Sequence, residues 1–99
     1  VIREEGADYD ALDSLRQEIN MVDDAIIELF ARRMGISARI GEEKHQRGIT
    51  ILQNKRWRDV LEKNLAKGRE QGIDEGFLAD VYRAVHQASI RIQKDIMKK

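Results

Sequence analysis

The sequence contains no cysteine and no proline, and aromatic residues make up only 5% of its 99 positions. The absence of cysteine excludes disulfide bonds and a thiol nucleophile. Charged residues, by contrast, make up 36% of the chain. This composition favours a single helical, soluble domain, which we expect to be intracellular and cytoplasmic.

Neither sign of charge dominates, and no long apolar run is present. The 18 Lys and Arg residues balance the 18 Asp and Glu residues, so no global field favours nucleic acid as a partner. No run approaches the ~20 apolar residues that a membrane span needs, and no signal-peptide pattern appears. The sequence also lacks an HExxH motif, a cysteine cluster and paired histidines, so we expect no metal site.

The stretch from Leu12 to Lys44 predicts one long amphipathic helix, because its apolar residues recur three and four positions apart. These residues are Leu12, Leu15, Ile19, Val22, Ile26, Leu29, Ile36 and Ile40. The repeat predicts one more apolar residue before Ile36, where the sequence has Arg33. Lys44 follows about three turns later, within roughly 20° around the helix axis. Two cations beside an apolar stripe suggest an anion held between helices, because burying an unpaired charge costs several kcal/mol or more.

Glycines and polar residues predict where the helices end. The long helix should stop near Gly48, a residue suited to the left-handed position after a C-terminus. Thr50 with Gln53 matches a capping box, which predicts that a second helix begins at Thr50. Gly68 and Gly72 bound the end of that helix. Within the long helix, glycines at 35 and 41 predict close packing, since glycine lowers helix propensity.

Asp74 is the predicted N-cap of a third amphipathic helix. We therefore expect an all-α fold of three helices, one of them very long, in a single domain over residues 10–99. Residues 1–9 are polar and lack periodicity, which predicts a flexible leader or the remnant of a linker.

The length of the first helix predicts an assembly of two chains. A helix over residues 11–46 would run roughly 50 Å, whereas a compact 100-residue monomer has a radius of gyration of about 13 Å. Two shorter helices cannot cover such a rod along its whole apolar stripe. We expect a homodimer that forms an intertwined helical bundle.

Each predicted helix carries polar residues where packing alone would not choose them: Arg33 and Lys44, then Gln53 and Arg56, then Ser89 and Gln93. Arg16 would lie roughly 42 Å from Lys44 along one helix. One small ligand cannot touch both within a chain. If Arg16 binds the same kind of anion, it must serve the site of an antiparallel partner.

Ordinary structural roles are open for each of these side chains taken alone. Arg33 can snorkel or form a salt bridge, and Lys44 can be a solvated cation at a helix end. Gln53 can cap a helix, Ser89 can bond the preceding turn, and Trp57 can serve packing alone.

The sequence resembles the all-helical (AroQ-type) chorismate mutases over about residues 12–96. The resemblance rests on LRQEINMVDDAIIELFARRM, GEEK, RWRDVLE and SIRIQ. The first segment, with its LRxxI-x-x-x-D and RR elements, carries the most weight. The resemblance implies an intertwined homodimer with two active sites that convert chorismate to prephenate without a cofactor. This is a step of the shikimate pathway toward phenylalanine and tyrosine, and it makes the predicted enzyme an isomerase.

The resemblance also implies roles for the polar residues. Arg16 would reach into the partner's site and share carboxylate binding with Arg33. Arg56 corresponds to an arginine near the substrate, and Ser89 to a residue near a substrate carboxylate.

Lys44 and Gln93 match the positions that contact the ether oxygen of the substrate. The reaction breaks one C–O bond as one C–C bond forms, so it needs neither a nucleophile nor a general base. Holding the reactive shape and donating hydrogen bonds to the ether oxygen are the available means of catalysis. Glutamine does not titrate, so we expect no need for acidic pH.

Two residues depart from the family pattern. Many relatives have Asp where this chain has Gln53, and Glu where it has Trp57. That glutamate holds the ring hydroxyl, whereas the indole nitrogen of tryptophan only donates hydrogen bonds. Both residues are expected to line the substrate pocket.

Two further functions are compatible with these residues. An isochorismate-pyruvate lyase shares the fold and can use a similar cationic pocket. A non-catalytic dimerisation or regulatory module that binds prephenate is the second alternative, and Trp57 is its best support. Since the sequence starts at Val1 rather than Met, the chain can also be part of a fusion, for example with a DAHP synthase.

Overall fold

A computed structural model describes residues 7–98 of the chain, with side chains from Asp10 onward, as three α-helices. They are α1 (Ala7–Arg47), α2 (Asn54–Glu70) and α3 (Glu75–Met97). The described range contains no strand, so the predicted all-α class with one very long helix is confirmed. Of the predicted leader, residues 7–9 form the start of α1, and residues 1–6 lie outside the described residues.

The chain divides after Arg33 into two units. The first unit is the part of α1 that ends at Arg33, and its large apolar side chains are exposed. Met21 is 71% exposed, Ile27 64% and Ile19 60%. The same holds for the remaining large apolar residues of this stretch: Leu12, Leu15, Val22, Ile26, Leu29 and Phe30. The apolar spacing therefore does form a helical stripe, and its large side chains are exposed in the described part of the chain.

The second unit, from Met34 onward, contains the rest of α1 together with α2 and α3. Apart from Val85, its buried residues are small or polar: Ser37, Gly41, Gly68, Ala79, Ser89 and Gln93. On α1, Ser37 is 4% exposed, whereas Ile36 and Ile40 on the predicted apolar stripe are 49% and 43% exposed. The buried face of α1 in this unit is thus the small-residue face, because small side chains allow close approach to α3.

The α1 helix ends where Gly48 predicts, in a Schellman turn. Gly48 has φ +66°, a left-handed conformation that favours glycine. The amide of Ile49 donates to the carbonyl of Lys44 at 2.8 Å, and the amide of Gly48 donates to the carbonyl of His45 at 3.4 Å. These bonds satisfy carbonyls that the helix end leaves without a partner.

The predicted capping box at Thr50 is wrong. The second helix begins at Asn54, and Gln53 is its N-cap residue in an extended conformation without a side-chain cap bond. The physical reason is a tertiary contact, since the carbonyl of Ile51 accepts a hydrogen bond from Nζ of Lys44 at 2.7 Å. A helix from Thr50 would direct that carbonyl along its own axis toward Lys55 instead.

The turn between α2 and α3 is compact and follows the predicted signals. Gly72 has φ +75°, and the amide of Ile73 donates to the carbonyl of Gly68 at 2.9 Å. A Cβ at Gly68 would overlap the side chain of Leu78, so this glycine permits the close approach of the two helices. The side chain of Asp74 accepts from the amide of Phe77 at 2.8 Å, which confirms Asp74 as an N-cap.

No helix in the described range is long and apolar enough to cross a membrane.

Candidate active site

A chain of hydrogen bonds joins α1 to α3 in the second unit. Nζ of Lys44 on α1 donates to Oε1 of Gln93 on α3 at 3.0 Å. Nε2 of Gln93 donates to Oγ of Ser89 at 3.4 Å, and that oxygen lies 2.5 Å from Oγ of Ser37 on α1. Three of the residues predicted from the sequence, Lys44, Ser89 and Gln93, are therefore brought together.

Gly41 lets the two helices approach closely enough for this contact. A Cβ at Gly41 would lie 3.1 Å from Cα of Gln93 and 3.2 Å from its Cγ, which is tighter than ordinary van der Waals contact. Close packing at Gly41 is thus confirmed. A Cβ at Gly35 would meet no described atom within 4 Å, so the prediction of close packing is wrong for Gly35 within this chain.

The segment that follows α1 contacts Lys44 through two hydrogen bonds. Its backbone carbonyl accepts from the amide of Ile49, and its Nζ donates to the carbonyl of Ile51. Partial burial strips water from the ammonium group and lowers the pKa of Lys44 below the 10.5 of an ordinary lysine. The cation is therefore positioned before any ligand arrives.

The orientation of the Gln93 amide follows from its partner. Lysine has no acceptor atom, so the group that faces Nζ of Lys44 must be the amide oxygen, and the amide nitrogen then faces Ser89. The ammonium has three N–H groups, of which Ile51 and Gln93 use two. The amide nitrogen has two, of which Ser89 takes one. Within the described contacts, each nitrogen keeps one N–H for a further acceptor.

Lys44 and Gln53 border a groove of about 710 Å³ between the end of α1 and the segment before α2. The remaining lining residues are Ile36, Arg39, Ile40, Glu42, Glu43, Gln46, Arg47 and Ile49. The lining of the groove therefore combines two exposed apolar side chains, Ile36 and Ile40, with several charged side chains.

Trp57 on α2 stacks on His86 on α3. Their ring centroids are 4.2 Å apart, and the ring planes differ by 15°, a near-parallel stack of the kind that stabilises aromatic pairs. His86 lies one turn before Ser89 and about two turns before Gln93, on the same side of α3 at ~100° per residue. Trp57 thus has a packing role that accounts for its half-buried position.

The predicted arginines differ in their surroundings. Arg56 is exposed on α2. Arg16 and Arg33 belong to the first unit. Arg16 is exposed, with Nη1 3.8 Å from the carboxylate of Asp13, and Arg33 is half-buried. Their predicted roles in carboxylate binding stay predictions.

Two residues of this region, Ser37 and His86, are not among those predicted from the sequence. A signal for Ser37 was present, because Ser37, Gly41 and Lys44 share one helix face at spacings of four and three. His86 is isolated in the sequence from other candidate residues, because its stacking partner, Trp57, lies on another helix.

No group of three or more His, Asp or Glu side chains in the described part of the chain is arranged to hold a metal ion.

The sequence matches the family described as chorismate mutase type II over residues 15–94. That match covers most of the chain, so the chain belongs to the chorismate mutase type II family. The resemblance identified from the sequence motifs is thereby confirmed.

Two curated relatives show how the chain compares with much longer proteins. The T-protein of Haemophilus influenzae is 34% identical over 74 residues, which are 75% of this chain and 20% of that protein. The bifunctional chorismate mutase/prephenate dehydratase of Aquifex aeolicus is 32% identical over 88 residues, or 86% of this chain and 24% of that protein. The chain thus spans between a fifth and a quarter of the length of these relatives.

A relative of similar length carries a different name. The 4-amino-4-deoxychorismate mutase of Streptomyces venezuelae is 25% identical over 88 residues, which are 89% of this chain and 85% of that protein.

Proposed function

We propose that this chain catalyses the cofactor-free rearrangement of chorismate to prephenate, in the biosynthesis of phenylalanine and tyrosine. The observation that carries the proposal is the contact between Nζ of Lys44 and Oε1 of Gln93 at 3.0 Å. It brings a cation and an amide, from helices far apart in the sequence, to one point. Membership of the chorismate mutase type II family supports the same activity.

The proposed chemistry needs two donors near one developing charge. As the C–O bond of chorismate breaks, negative charge grows on the ether oxygen. One N–H of Lys44 and one N–H of Gln93 stay available for that oxygen, and removing one such donor typically costs ~3–4 kcal/mol of transition-state stabilisation. Gly41 and the Ile51 carbonyl hold the two nitrogens in place, so little reorganisation is needed during the reaction.

The substrate carboxylates are assigned to the remaining polar residues. Ser89, Arg33 and Arg56 would bind them, together with the partner subunit's Arg16. Arginine suits this task because its planar guanidinium can form paired hydrogen bonds with a carboxylate. Gln53 and Trp57 would line the ring side of the pocket, where family members hold the ring hydroxyl.

The contribution of Arg16 across chains requires a homodimer, which is part of the proposal. Its support is the stripe of exposed apolar side chains on the first unit. Contiguous apolar surface of this extent on a helix marks an interaction surface. A second copy of the same helix, in an antiparallel arrangement, would cover the stripe with matching apolar residues.

The decisive experiment measures chorismate loss by absorbance and identifies the product for the purified chain and for Lys44→Met. We expect prephenate from the wild type and a loss of about 10²–10³-fold in kcat for the variant. Lys63→Met is the matched control, because Lys63 is an exposed lysine on α2. A folded wild type without turnover would contradict the activity, and an unimpaired Lys44→Met would contradict the site.

A second substrate has one specific observation in its favour. By the family resemblance, Trp57 takes the position at which relatives hold the ring hydroxyl, and an indole cannot accept that hydrogen bond. The face of an indole does attract an ammonium group, and one relative is named for the amino analogue, 4-amino-4-deoxychorismate. A higher kcat/KM for the amino substrate than for chorismate would support this second substrate, and the reverse would contradict it.

The lyase, the regulatory module and the wider cellular setting stay predictions. Product analysis with isochorismate separates an isochorismate-pyruvate lyase from the mutase, and prephenate binding without turnover would indicate a regulatory module. A cytoplasmic location and a fused domain, such as a DAHP synthase, belong to the predicted setting. Relatives named as bifunctional show that this kind of domain occurs within longer proteins.

A further inference from the structure

Ser37 is a buried serine that places a second hydroxyl beside Ser89. It is 4% exposed, and its Oγ lies 2.5 Å from Oγ of Ser89, with either atom able to donate. That distance fits a short O–H···O hydrogen bond. Burial of a hydroxyl is costly unless it is hydrogen-bonded, and the bond between the two serines reduces that cost at the contact between α1 and α3.

The direction of this bond determines whether the hydroxyl of Ser89 stays free to donate to a ligand. A serine hydroxyl has one proton and two lone pairs. Nε2 of Gln93 donates to Oγ of Ser89 and occupies one lone pair. If Ser37 donates as well, both lone pairs are occupied, and the hydroxyl of Ser89 can act only as a donor.

We propose that Ser37 is a positioning residue that donates its proton to Ser89 and thereby commits Ser89 to donate to a substrate carboxylate. This inference rests on the function proposed above and adds one residue to its machinery. A hydroxyl that can only donate favours an anionic acceptor, which offers lone pairs and no proton. Ser37 acts through Ser89 and does not itself touch the substrate.

The position of Ser37 on α1 supports this role. Ser37 precedes Gly41 by one turn and Lys44 by two turns, all on the buried side of the helix. The same closely packed face of α1 therefore carries Lys44, a proposed donor to the ether oxygen, and Ser37, which contacts the proposed carboxylate ligand Ser89. The hydrogen bond from Gln93 to Ser89 joins these two groups of donors.

The test compares KM and kcat for chorismate in Ser37→Ala and Ser37→Cys. A carboxylate contact is made equally in the ground state and the transition state, so its weakening raises KM and leaves kcat nearly unchanged. We expect a rise in KM of about threefold to tenfold with kcat within about twofold. Cysteine fills the space of serine with a larger sulfur atom but is a weak donor, so KM should rise in both variants. Ser14→Ala, at an exposed serine of the same helix, is the control.

A double-mutant cycle with Ser89→Ala tests whether the rise in KM caused by Ser37→Ala depends on Ser89. If Ser37 acts through Ser89, then Ser37→Ala adds no further rise in KM once Ser89 is alanine. Three results would overturn the inference: an unchanged KM in Ser37→Ala, a wild-type KM in Ser37→Cys, or an equal rise in KM in the Ser89→Ala background. The second would mean that Ser37 fills space rather than donating a proton.

The experiment also separates this inference from the proposed function. An active wild type with unaltered Ser37 variants overturns only the role of Ser37. A wild type without turnover overturns the activity, and the same variants are then compared by their Kd for chorismate. Trp57, the single tryptophan, provides the fluorescence signal. The Kd should rise by the same factor, and equal Kd values, or no chorismate binding at all, overturn the role of Ser37 as well.

Discussion

The two units of this chain differ in which side chains are exposed: large apolar side chains in the first unit are exposed, and several polar side chains in the second are buried. In the first unit, Leu15, Ile19 and Val22 are each between 57% and 60% exposed. In the second unit, Ser37, Ser89 and Gln93 are each less than 10% exposed. The apolar side chains of the first unit are exposed, whereas the buried polar residues of the second unit hydrogen-bond to one another.

This difference shows that regular helical spacing and burial are separate properties. An apolar stripe indicates which face of a helix would be buried, but another surface must be present to bury it. Polar side chains can be buried without that surface when their hydrogen bonds are completed locally. No buried side-chain nitrogen or oxygen in the described range lacks a hydrogen-bond partner.

The largest expected effect comes from placing a charge on the apolar stripe of the first unit. Ile19→Asp should weaken dimer association by about 10³-fold, because each of two copies loses a buried side chain and introduces a charge. Sedimentation equilibrium measures the change. Gln17→Ala, at an exposed polar position nearby, is the control. A dimer of wild-type strength, or a wild type that is monomeric throughout, would contradict the predicted interface.

Breaking the polar contact of the second unit should have a somewhat smaller effect, on catalysis rather than assembly. Gln93→Leu keeps a similar volume but removes the donor N–H and the acceptor of Lys44. We expect kcat to fall by about 10²–10³-fold while the dimer persists. Gln87→Leu, at an exposed position of α3, should retain activity. If Gln93→Leu also retained activity, Gln93 would not contact the ether oxygen.

Two glycines of α1 offer a sharper comparison by the same substitution. Gly41→Ala places a methyl group 3.1 Å from Cα of Gln93, and such overpacking costs about 1–3 kcal/mol. Gly35→Ala meets no described atom within 4 Å, so alanine should stabilise the helix by up to about 1 kcal/mol. Urea unfolding of both variants measures the difference. Destabilisation by Gly35→Ala would show that a partner chain approaches there.

The smallest expected effect is a shift in the alkaline limit of activity. Burial disfavours the charged form of Lys44, so its pKa lies below the 10.5 of an ordinary lysine. Because the proposed reaction needs the cation, kcat should fall as pH rises through this lowered pKa. A pH–rate profile of wild type and Lys44→Arg tests this, since arginine stays charged. Identical alkaline limits for the two proteins would contradict the assignment.

The same pKa shift has a consequence for stability. Below the lowered pKa, folding carries the cost of burying the charged ammonium of Lys44. That cost disappears as pH rises from the lowered pKa toward 10.5, because the folded state loses its proton first. The contribution of this group to the free energy of unfolding therefore increases over that interval.

Much of the fold was predictable because its signals are local. Gly48 and Asp74 mark helix ends by backbone conformation and side-chain capping, and both predictions are confirmed. The start of α2 was not predictable, since the segment before Asn54 is held by the bond from Lys44 to the carbonyl of Ile51. Although Thr50 and Gln53 match a capping box locally, the helix begins at Asn54 because the preceding segment makes that contact with Lys44.

The candidate site was predictable in part for the same reason. Lys44, Ser89 and Gln93 interrupt apolar patterns, which is visible in sequence, and family spacing connects them. Ser37 interrupts no apolar pattern, because it lies beside the stripe rather than on it. Its position on one helix face with Gly41 and Lys44 is visible in the sequence, but its pairing with Ser89 becomes apparent only when α3 brings the two Oγ atoms to 2.5 Å.

The amino-acid sequence by itself determined the helical class, the family and the positions of the polar residues. These depend on periodicity, capping and motif spacing, which act over a few residues at a time. The tertiary structure decided which face of α1 is buried against α3, the orientation of the Gln93 amide and the pairing of Ser37 with Ser89. Those features depend on how closely two backbones approach, and Gly41 permits an approach at which a Cβ would crowd Gln93.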